Sequence, residues 1–520
     1  MKVQLNVRDY LDRAASVYPD RIGIIDEPDQ VAAPLGPDGA LTYRQVGEHA
    51  AALAAGLDAL GVGPGERVAV LSHNSARLLV AFFGVCGWGR VLVPINFRLH
   101  PEEVRYIVEQ SGATVFLVDP ELAESVAAIP CAHTFVLGAD SDAVLFRFDR
   151  EPQHWESDED ATATLNYTSG TTARPKGVDC THRQLWMNAA VFGWQASVSD
   201  RDVYLHTLPM FHCNGWGQVF SVTAMGGTHV VLRKVDGAEI LARIERHGVT
   251  YLCAAPAVGS MILEAAAGLD PVPGRERVRM VMAGAPPPTR TIERVETELG
   301  WEFIQIYGLT ESSPLLTMSR GRAEWDDLST HERAAKLGRA GAPALGVDLR
   351  VDDQGEIIAR SNHILNGYWE QPEATAEAII DGFFHTGDGG VIDDEGYLSI
   401  SDRKKDVMIT GGENVSSIEV EDRLFSHPSV AEVAVIGVPS EKWGETIKAL
   451  IVLTPGSELD GRDEREVESE LITWCRAKLA GYKCPTSVEL RDELARTATG
   501  KLQKFRLRAP YWEGVERQIN

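Results

Sequence analysis

Several things are scarce in this 520-residue chain. Its seven cysteines (Cys86, Cys131, Cys180, Cys213, Cys253, Cys475 and Cys484) are scattered and odd in number. They form no CxxC pair. That excludes the common zinc spacing and a disulfide frame, and it fits reduced thiols in a cytosol. Cations are outnumbered: 50 Lys and Arg face 75 Asp and Glu, a formal charge of -25. Such a balance argues against a general nucleic-acid or anionic-membrane surface, while leaving room for a local cationic pocket. The most apolar run, Leu78 to Gly89, lies between Arg77 and Arg90. It is too short to span a bilayer and reads as a buried helix. Met1 to Asp9 carries no apolar signal core, so a cytoplasmic location is expected. Low-complexity tracts and internal repeats are also missing.

The length calls for at least two domains. Apolar residues recur at helical spacing from Val7 to Tyr18, and an Ala/Leu-rich helix follows Leu41-Thr42-Tyr43 to about Leu60. The glycines of Gly61-Val62-Gly63-Pro64-Gly65 precede the strand Arg67 to Leu71. A dinucleotide fingerprint would follow its strand, so this is a turn. Next come a helix from Ser75, a strand Val91 to Ile95, a helix Pro101 to Ser111 and a strand Thr114 to Val118. Further unbroken apolar strands fall at 202–205, 228–232, 251–253 and 278–282. Strands alternating with helices, and apolar throughout, predict parallel sheets covered on both faces. The pattern then changes. Val391 to Asp393 and Tyr397 to Ile400 flank Asp394-Glu395-Gly396, a hairpin. From Ile418 onward the reading is compact α+β, with strands 430–438 and 447–453 and a helix 463–479.

One segment dominates the chemistry: Tyr167-Thr168-Ser169-Gly170-Thr171-Thr172-Ala173-Arg174-Pro175-Lys176-Gly177. An apolar strand enters it. Its glycines let the backbone approach a ligand, and its hydroxyls and Lys176 suit anionic oxygens. It is not a Walker A loop, because Gly170 is not followed by Gly-Lys-Ser/Thr after four residues. A Ser/Thr/Gly run alone is commonly a linker; the hydroxyl ladder with its Pro-Lys-Gly close favours a polyphosphate cradle. Downstream stand Leu208-Pro209-Met210-Phe211-His212-Cys213-Asn214-Gly215-Trp216-Gly217, Met282-Ala283-Gly284-Ala285-Pro286, and Gln305-Ile306-Tyr307-Gly308-Leu309-Thr310-Glu311. Tyr307 can stack on a purine, Thr310 can meet an α-phosphate, and Glu311 can hold magnesium. Phe384-His385-Thr386-Gly387-Asp388 ends in a carboxylate that can accept two hydroxyl hydrogen bonds. Then come the charged run Ser401-Asp402-Arg403-Lys404-Lys405-Asp406, the loop Gly411-Gly412-Glu413-Asn414, and Thr499-Gly500-Lys501 near the end.

Taken together and in this order, these motifs resemble the adenylate-forming enzymes, which include acyl-CoA synthetases, adenylation domains of peptide synthetases and luciferases. The resemblance covers nearly the whole chain. It implies an α/β fold with a large multi-sheet N-terminal domain, residues 1–402, a hinge at 403–406, and a small mobile α+β C-terminal domain, residues 407–520. It implies an ATP site built from Thr168, Ser169, Gly170, Thr171, Thr172, Lys176, Gly284, Ala285, Pro286, Gln305, Tyr307, Gly308, Thr310, Asp388 and Arg403. Thr168 and Glu311 would serve Mg²⁺. His212 would stand near the acyl carboxylate and Lys501 would be the catalytic lysine. Lys405 would be the pivot, and Gly411 and Gly412 would line the tunnel for CoA. The family usually has glycine where Ala283 stands, a departure that crowds the adenine or acyl slot slightly.

The expected reaction joins a fatty or aryl carboxylic acid to CoA. The acid attacks the α-phosphate of ATP to give an acyl-adenylate and pyrophosphate, and a thiol then displaces AMP. Two anions must meet, so charge neutralisation is the central task. No acidic residue adjoins Met210-Phe211-His212 to hold an amino acid's ammonium group. The alternatives are an enzyme that loads a carrier protein or performs adenylation only, and an adenylate-binding protein without catalysis. A luciferase-type oxygenase is more distant. The chain is compatible with a homodimer.

Overall fold

The computed structural model describes residues 1–28, 30–32, 34–168, 175–403, 408–410, 413–440, 444–496 and 502–513. Among them four β-sheets form. The first has six parallel strands at its centre: Glu302–Tyr307, Arg279–Met282, Tyr251–Ala254, Val203–His206, Thr228–Val231 and Ile22–Ile25. Antiparallel strands close its edges, Thr317–Arg320 with Ala342–Pro343 on one side and Ala40–Thr42 on the other. The second sheet carries the parallel strands Thr162–Thr168, Val91–Ile95, Arg67–Leu71, Ala113–Val118 and His133–Val136. Antiparallel Lys176–Thr181 and Gly367–Tyr368 extend it. The unbroken apolar runs thus mark the parallel centres as expected. The antiparallel edges are short or partly polar and lack that signature.

Side-chain alternation sorts each strand between two cores. Leu205, Leu252, Met280 and Phe303 face helices Gly237–His247, Pro256–Ala265 and Thr289–Arg294 on the outer side of the first sheet. Val68, Val70, Val115 and Leu117 of the second sheet share a core with Leu41 and Val231 of the first and with helices between the sheets. Ala69, Leu71, Phe116 and Val118 pack on Pro101–Ser111 outside. The layering is therefore helix, sheet, helix, sheet, helix.

The helix Tyr43–Ala59 begins at Thr42, whose hydroxyl accepts from Gln45 N–H while Gln45 answers to Thr42 N–H, a reciprocal cap. Its neighbour Ala76–Gly84 is buried on every face. That explains the apolar run bounded by arginines: it is a central helix between layers. A Cβ at Gly84 would stand 2.9 Å from the Ala50 carbonyl oxygen, so glycine permits this close crossing. The helix is shorter than the sequence expectation. It gives way to a 3₁₀ turn, Cys86–Trp88, which Gly89 ends at φ 79°. Among the described residues, no helix is long and apolar enough to cross a membrane.

A third, antiparallel sheet follows, made of Asp348–Val351, Glu356–Arg360, Ile379–Ile380, Phe383–Ile392 and Leu398–Arg403. Its last two strands are the expected hairpin, with Ile392 opposite Leu398. The fourth sheet uses only residues from 408 onward, with Val430–Ser440 against Gly444–Leu453 as its spine. Helices Ser417–Phe425 and Glu464–Arg476 cover one face through Val420, Leu424, Val467 and Leu471.

Candidate active site

The parallel strands of the first sheet all point their carboxyl ends the same way, and loops leaving those ends are the natural ligand site of an open α/β sheet. Here they are the segments after His206, Ala254, Met282 and Tyr307. The antiparallel hairpin Thr162–Thr168 and Lys176–Thr181 joins them, with Thr168 paired to Lys176 at its open end.

Lys176 sits with its Nζ 4.8 Å from the ring centre of Tyr368. The Tyr368 hydroxyl donates to Glu311 Oε1 at 2.9 Å. Burial first, and then the neighbouring Glu311 charge, push the Tyr368 phenol well above its ordinary range, so it remains a protonated donor. Glu311 stands in the 3₁₀ turn Thr310–Ser312, pinned by the Leu365 N–H to its carbonyl at 2.6 Å. One tyrosine thus spans the cation that closes the phosphate hairpin and the carboxylate of the Tyr307-to-Glu311 motif. Tyr368 belongs to none of the sequence motifs. Its partners lie 57 and 192 positions away, so no local pattern marks it. Glu311 and the Thr168 hydroxyl offer oxygen donors only, the set that suits Mg²⁺.

Asp388 and Tyr307 meet nearby, the Tyr307 hydroxyl donating to Asp388 Oδ2 at 2.8 Å. Both are 8% exposed. The turn presenting Asp388 is fastened several times over. Asp388 N–H donates to Thr386 Oγ1 at 3.1 Å, and Thr386 Oγ1 donates to the Ile357 carbonyl at 2.7 Å. Gly387 N–H donates to Glu356 Oε1 at 2.9 Å, and Glu356 Oε2 lies 3.2 Å from His385 Nδ1. Asp352, Glu356 and His385 bring donor atoms within 4.8 Å of one another. The bonds of Glu356, with Asp352 Oδ1 receiving two backbone N–H groups, account for the cluster as the support of this turn. The backbone of Arg403 lies opposite Asp388 across the hairpin.

Gly308 and Gly284 serve different ends. A Cβ on Gly308 would stand 1.6 Å from the Pro314 carbonyl oxygen, so the motif's glycine is demanded by its own fold-back. Gly284 is exposed at φ 95°, with nothing within 4 Å of a built Cβ. Ala285 and Pro286 continue this open turn. Gln305 behaves otherwise: it is buried, with the end of its amide facing the Leu337 and Gly338 carbonyls at 3.1 Å. Its side chain caps the helix Thr330–Leu337 and does not join the other residues.

The segment after His206 is held by Asn74, whose amide donates to the His206, Leu208 and Leu232 carbonyls and accepts from Met210 N–H at 2.8 Å. His212 is half-buried just before an unusual turn. Cys213, Asn214, Gly215, Trp216 and Gly217 all have positive φ, from 46° to 75°. Cys213 Sγ lies 3.1 Å from Thr310 Oγ1, so this turn touches the Tyr307-to-Glu311 motif. Trp216 is 4% exposed and packs in the core with Tyr204, Tyr251 and Ala283.

Thr168, Lys176, Tyr307, Thr310, Glu311 and Asp388 thus come together, joined by Tyr368. Ser169, Gly170, Thr171, Thr172, Lys405, Gly411, Gly412 and Lys501 lie outside the described residues.

The family of AMP-binding enzymes matches residues 11–369, and the C-terminal domain of AMP-binding enzymes matches residues 419–501. The 2-methylpropanoate–CoA ligase of Humulus lupulus is 35% identical, covering 96% of this chain and 94% of its own. Among solved structures, an anthranilate–CoA ligase in complex with anthranoyl-AMP superposes with a TM-score of 0.86 at 27% identity, with 98% of each chain covered. The o-succinylbenzoate–CoA synthetase of Bacillus subtilis, in complex with ATP and magnesium, gives 0.79 at 28% identity over 97% of this chain and 99% of its own. The sheet architecture, the cluster around Tyr368 and Asp388, and these matches over nearly the full length agree: the chain belongs to the AMP-binding enzyme family.

Proposed function

We propose that this protein is an AMP-forming carboxylate–CoA ligase. It activates a fatty or aryl acid with ATP, releases pyrophosphate, and passes the acyl group to CoA with release of AMP. The observation that carries the reading is the line Lys176–Tyr368–Glu311 beside the Tyr307–Asp388 pair. A cation at the phosphate hairpin, an oxygen ligand for a divalent ion and a buried ribose-type carboxylate then serve one triphosphate nucleotide. The named relatives, two CoA ligases and a CoA synthetase, support CoA as the acceptor.

The roles are those that the resemblance to the family implies. Thr168 to Lys176 holds the β- and γ-phosphates as a leaving group. Asp388 and Arg403 hold the ribose hydroxyls, Tyr307 covers the base, and Thr310 meets the α-phosphate. Glu311 and Thr168 would hold Mg²⁺, which would neutralise phosphate charge when bound. His212 faces the acyl carboxylate and Lys501 stabilises the charge that builds when acid meets phosphate. Residues 1–402 form the large domain and 407–520 the small one. Rotation at 403–406, about Lys405, exchanges Lys501 for the Gly411-Gly412 loop and admits the thiol. The seven cysteines, none of them in a disulfide, suit a reducing cytosol.

The test is incubation with ATP, Mg²⁺, CoA and a panel of carboxylic acids, with pyrophosphate, AMP and acyl-CoA measured separately. Acid-dependent release of all three is expected. Pyrophosphate without acyl-CoA across the panel would instead mark a carrier-loading or adenylation-only enzyme. No acid-dependent pyrophosphate would end the ligase reading.

A further inference from the structure

Three buried side chains close a ring of hydrogen bonds between the phosphate hairpin and the loop that bears His212. Thr164 Oγ1 donates to Asn166 Oδ1 at 2.9 Å. Asn166 Nδ2 donates to Asn214 Oδ1 at 3.1 Å. Asn214 Nδ2 donates back to Thr164 Oγ1 at 3.0 Å. The second amide hydrogen of Asn166 is directed to the Phe211 carbonyl at 3.3 Å. All three residues are at most 2% exposed. Each ring member gives one bond and takes one, so the bonds polarise one another in a dry setting and the loss of one weakens the others.

The ring's two ends are mechanically significant. Thr164 and Asn166 stand on one face of the strand Thr162–Thr168, and Thr168, the next residue on that face, opens the phosphate hairpin. Asn214 stands inside the left-handed turn Cys213 to Gly217, immediately after His212. Left-handed backbone is costly for Cys213 and Trp216, so the turn persists only if its surroundings over-determine it. The ring holds the turn's second residue, Asn214, at φ 53°.

We infer that Thr164, Asn166 and Asn214 are positioning residues that couple the acid-side loop to the strand opening the phosphate hairpin, so that a change in that loop alters nucleotide affinity. This rests on the ligase reading for the identity of the nucleotide. Its consequence is specific: Asn214, on the acid-side loop, governs the binding of MgATP.

The experiment is calorimetric titration of the full-length protein with MgATP, no acid present, alongside melting curves. The variants are Thr164→Val, Asn166→Ala, Asn214→Ala, Asn214→Gly and the Asn166→Ala/Asn214→Ala pair. Each single change is expected to weaken MgATP about fivefold. The pair should lose no more than one single change, because the ring opens only once. Asn214→Gly separates hydrogen bonding from backbone strain, since glycine takes positive φ freely; it should lose affinity like alanine. Thr164→Val is nearly isosteric and keeps the test sound if an asparagine variant fails to fold. MgATP affinity within twofold of wild type in Thr164→Val and Asn214→Gly, with only the melting temperature lowered, overturns the inference. So do additive losses. A wild type that takes up no MgATP overturns the ligase reading itself.

Discussion

Changing Tyr368 to phenylalanine removes a single oxygen, the one that donates to Glu311 at 2.9 Å. The ring remains, and with it the contact to Lys176 at 4.8 Å. A hydrogen bond to a charged acceptor contributes roughly 1.5–3 kcal/mol. Tyr368 and Glu311 are both half-buried, which places this one at the lower end, about 1.5 kcal/mol, or about tenfold. If Glu311 serves the metal of MgATP, that loss falls on the nucleotide. The expected result is a drop of about tenfold in kcat/KM for MgATP, measured by pyrophosphate release at saturating acid, with KM for the acid unchanged. Tyr368→Leu also loses the cation–π contact, about 0.5–1 kcal/mol at a partly exposed site, and should fall a further two- to fivefold or so. The pH profile from 6 to 9 should keep its shape in Tyr368→Phe, because the wild-type phenol stays protonated throughout. A Tyr368→Phe enzyme within twofold of wild type for MgATP would refute the assignment. So would a loss appearing in the KM for acid.

Two further outcomes are expected. Gly308→Ala must displace the Pro314 backbone, since its Cβ would sit 1.6 Å from that carbonyl oxygen; overpacking of this kind costs about 3 kcal/mol, and a melting temperature within a degree of wild type would contradict the placement. Burial lowers His182 and His363 to about 4 and His229 to about 3, while the unfolded chain titrates near its ordinary value of about 6.5. The unfolded state therefore binds the extra protons first, and stability present above about pH 6.5 is lost as pH falls toward 4, by about 1.4 kcal/mol per pH unit for each histidine. Calorimetry should show the melting temperature falling across that window, and a flat profile from pH 7 to 5 would show these histidines to be solvated.

Much of the layered architecture was legible because burial on both faces leaves unbroken apolar runs, as in Arg67–Leu71 and Val91–Ile95. The motif residues were legible because each cluster is local: Tyr307, Thr310 and Glu311 share one short segment. What was not legible depends on partners brought from afar. Tyr368 gains its meaning only when Lys176 and Glu311 arrive on either side. Gln305 lies in the right motif, yet its amide is used by a helix end at Leu337 and Gly338. Asn166 and Asn214 each look like ordinary loop or strand-end residues, and only the fold shows that they face one another. The left-handed backbone from Cys213 to Gly217 had no signal beyond two glycines and Asn214, because Cys213 and Trp216 are held there by tertiary contacts and not by preference.

The small C-terminal unit keeps its apolar groups to itself. Among the described residues, its two hydrophobic clusters draw only on residues from 408 onward, and no cluster of the large unit reaches past residue 400. What reaches across is polar: Thr289 N–H to Asp422 at 3.0 Å, and Arg290 to the His427 carbonyl at 3.3 Å. Each such bond contributes about 0.5–3 kcal/mol net of water, whereas opening an apolar core costs far more. Turning the two units against each other, as the proposed hinge at 403–406 requires, would break bonds of this kind and not an apolar core. On that proposed rotation, contacts with bound substrate, more than packing between the units, would set where the small unit stands.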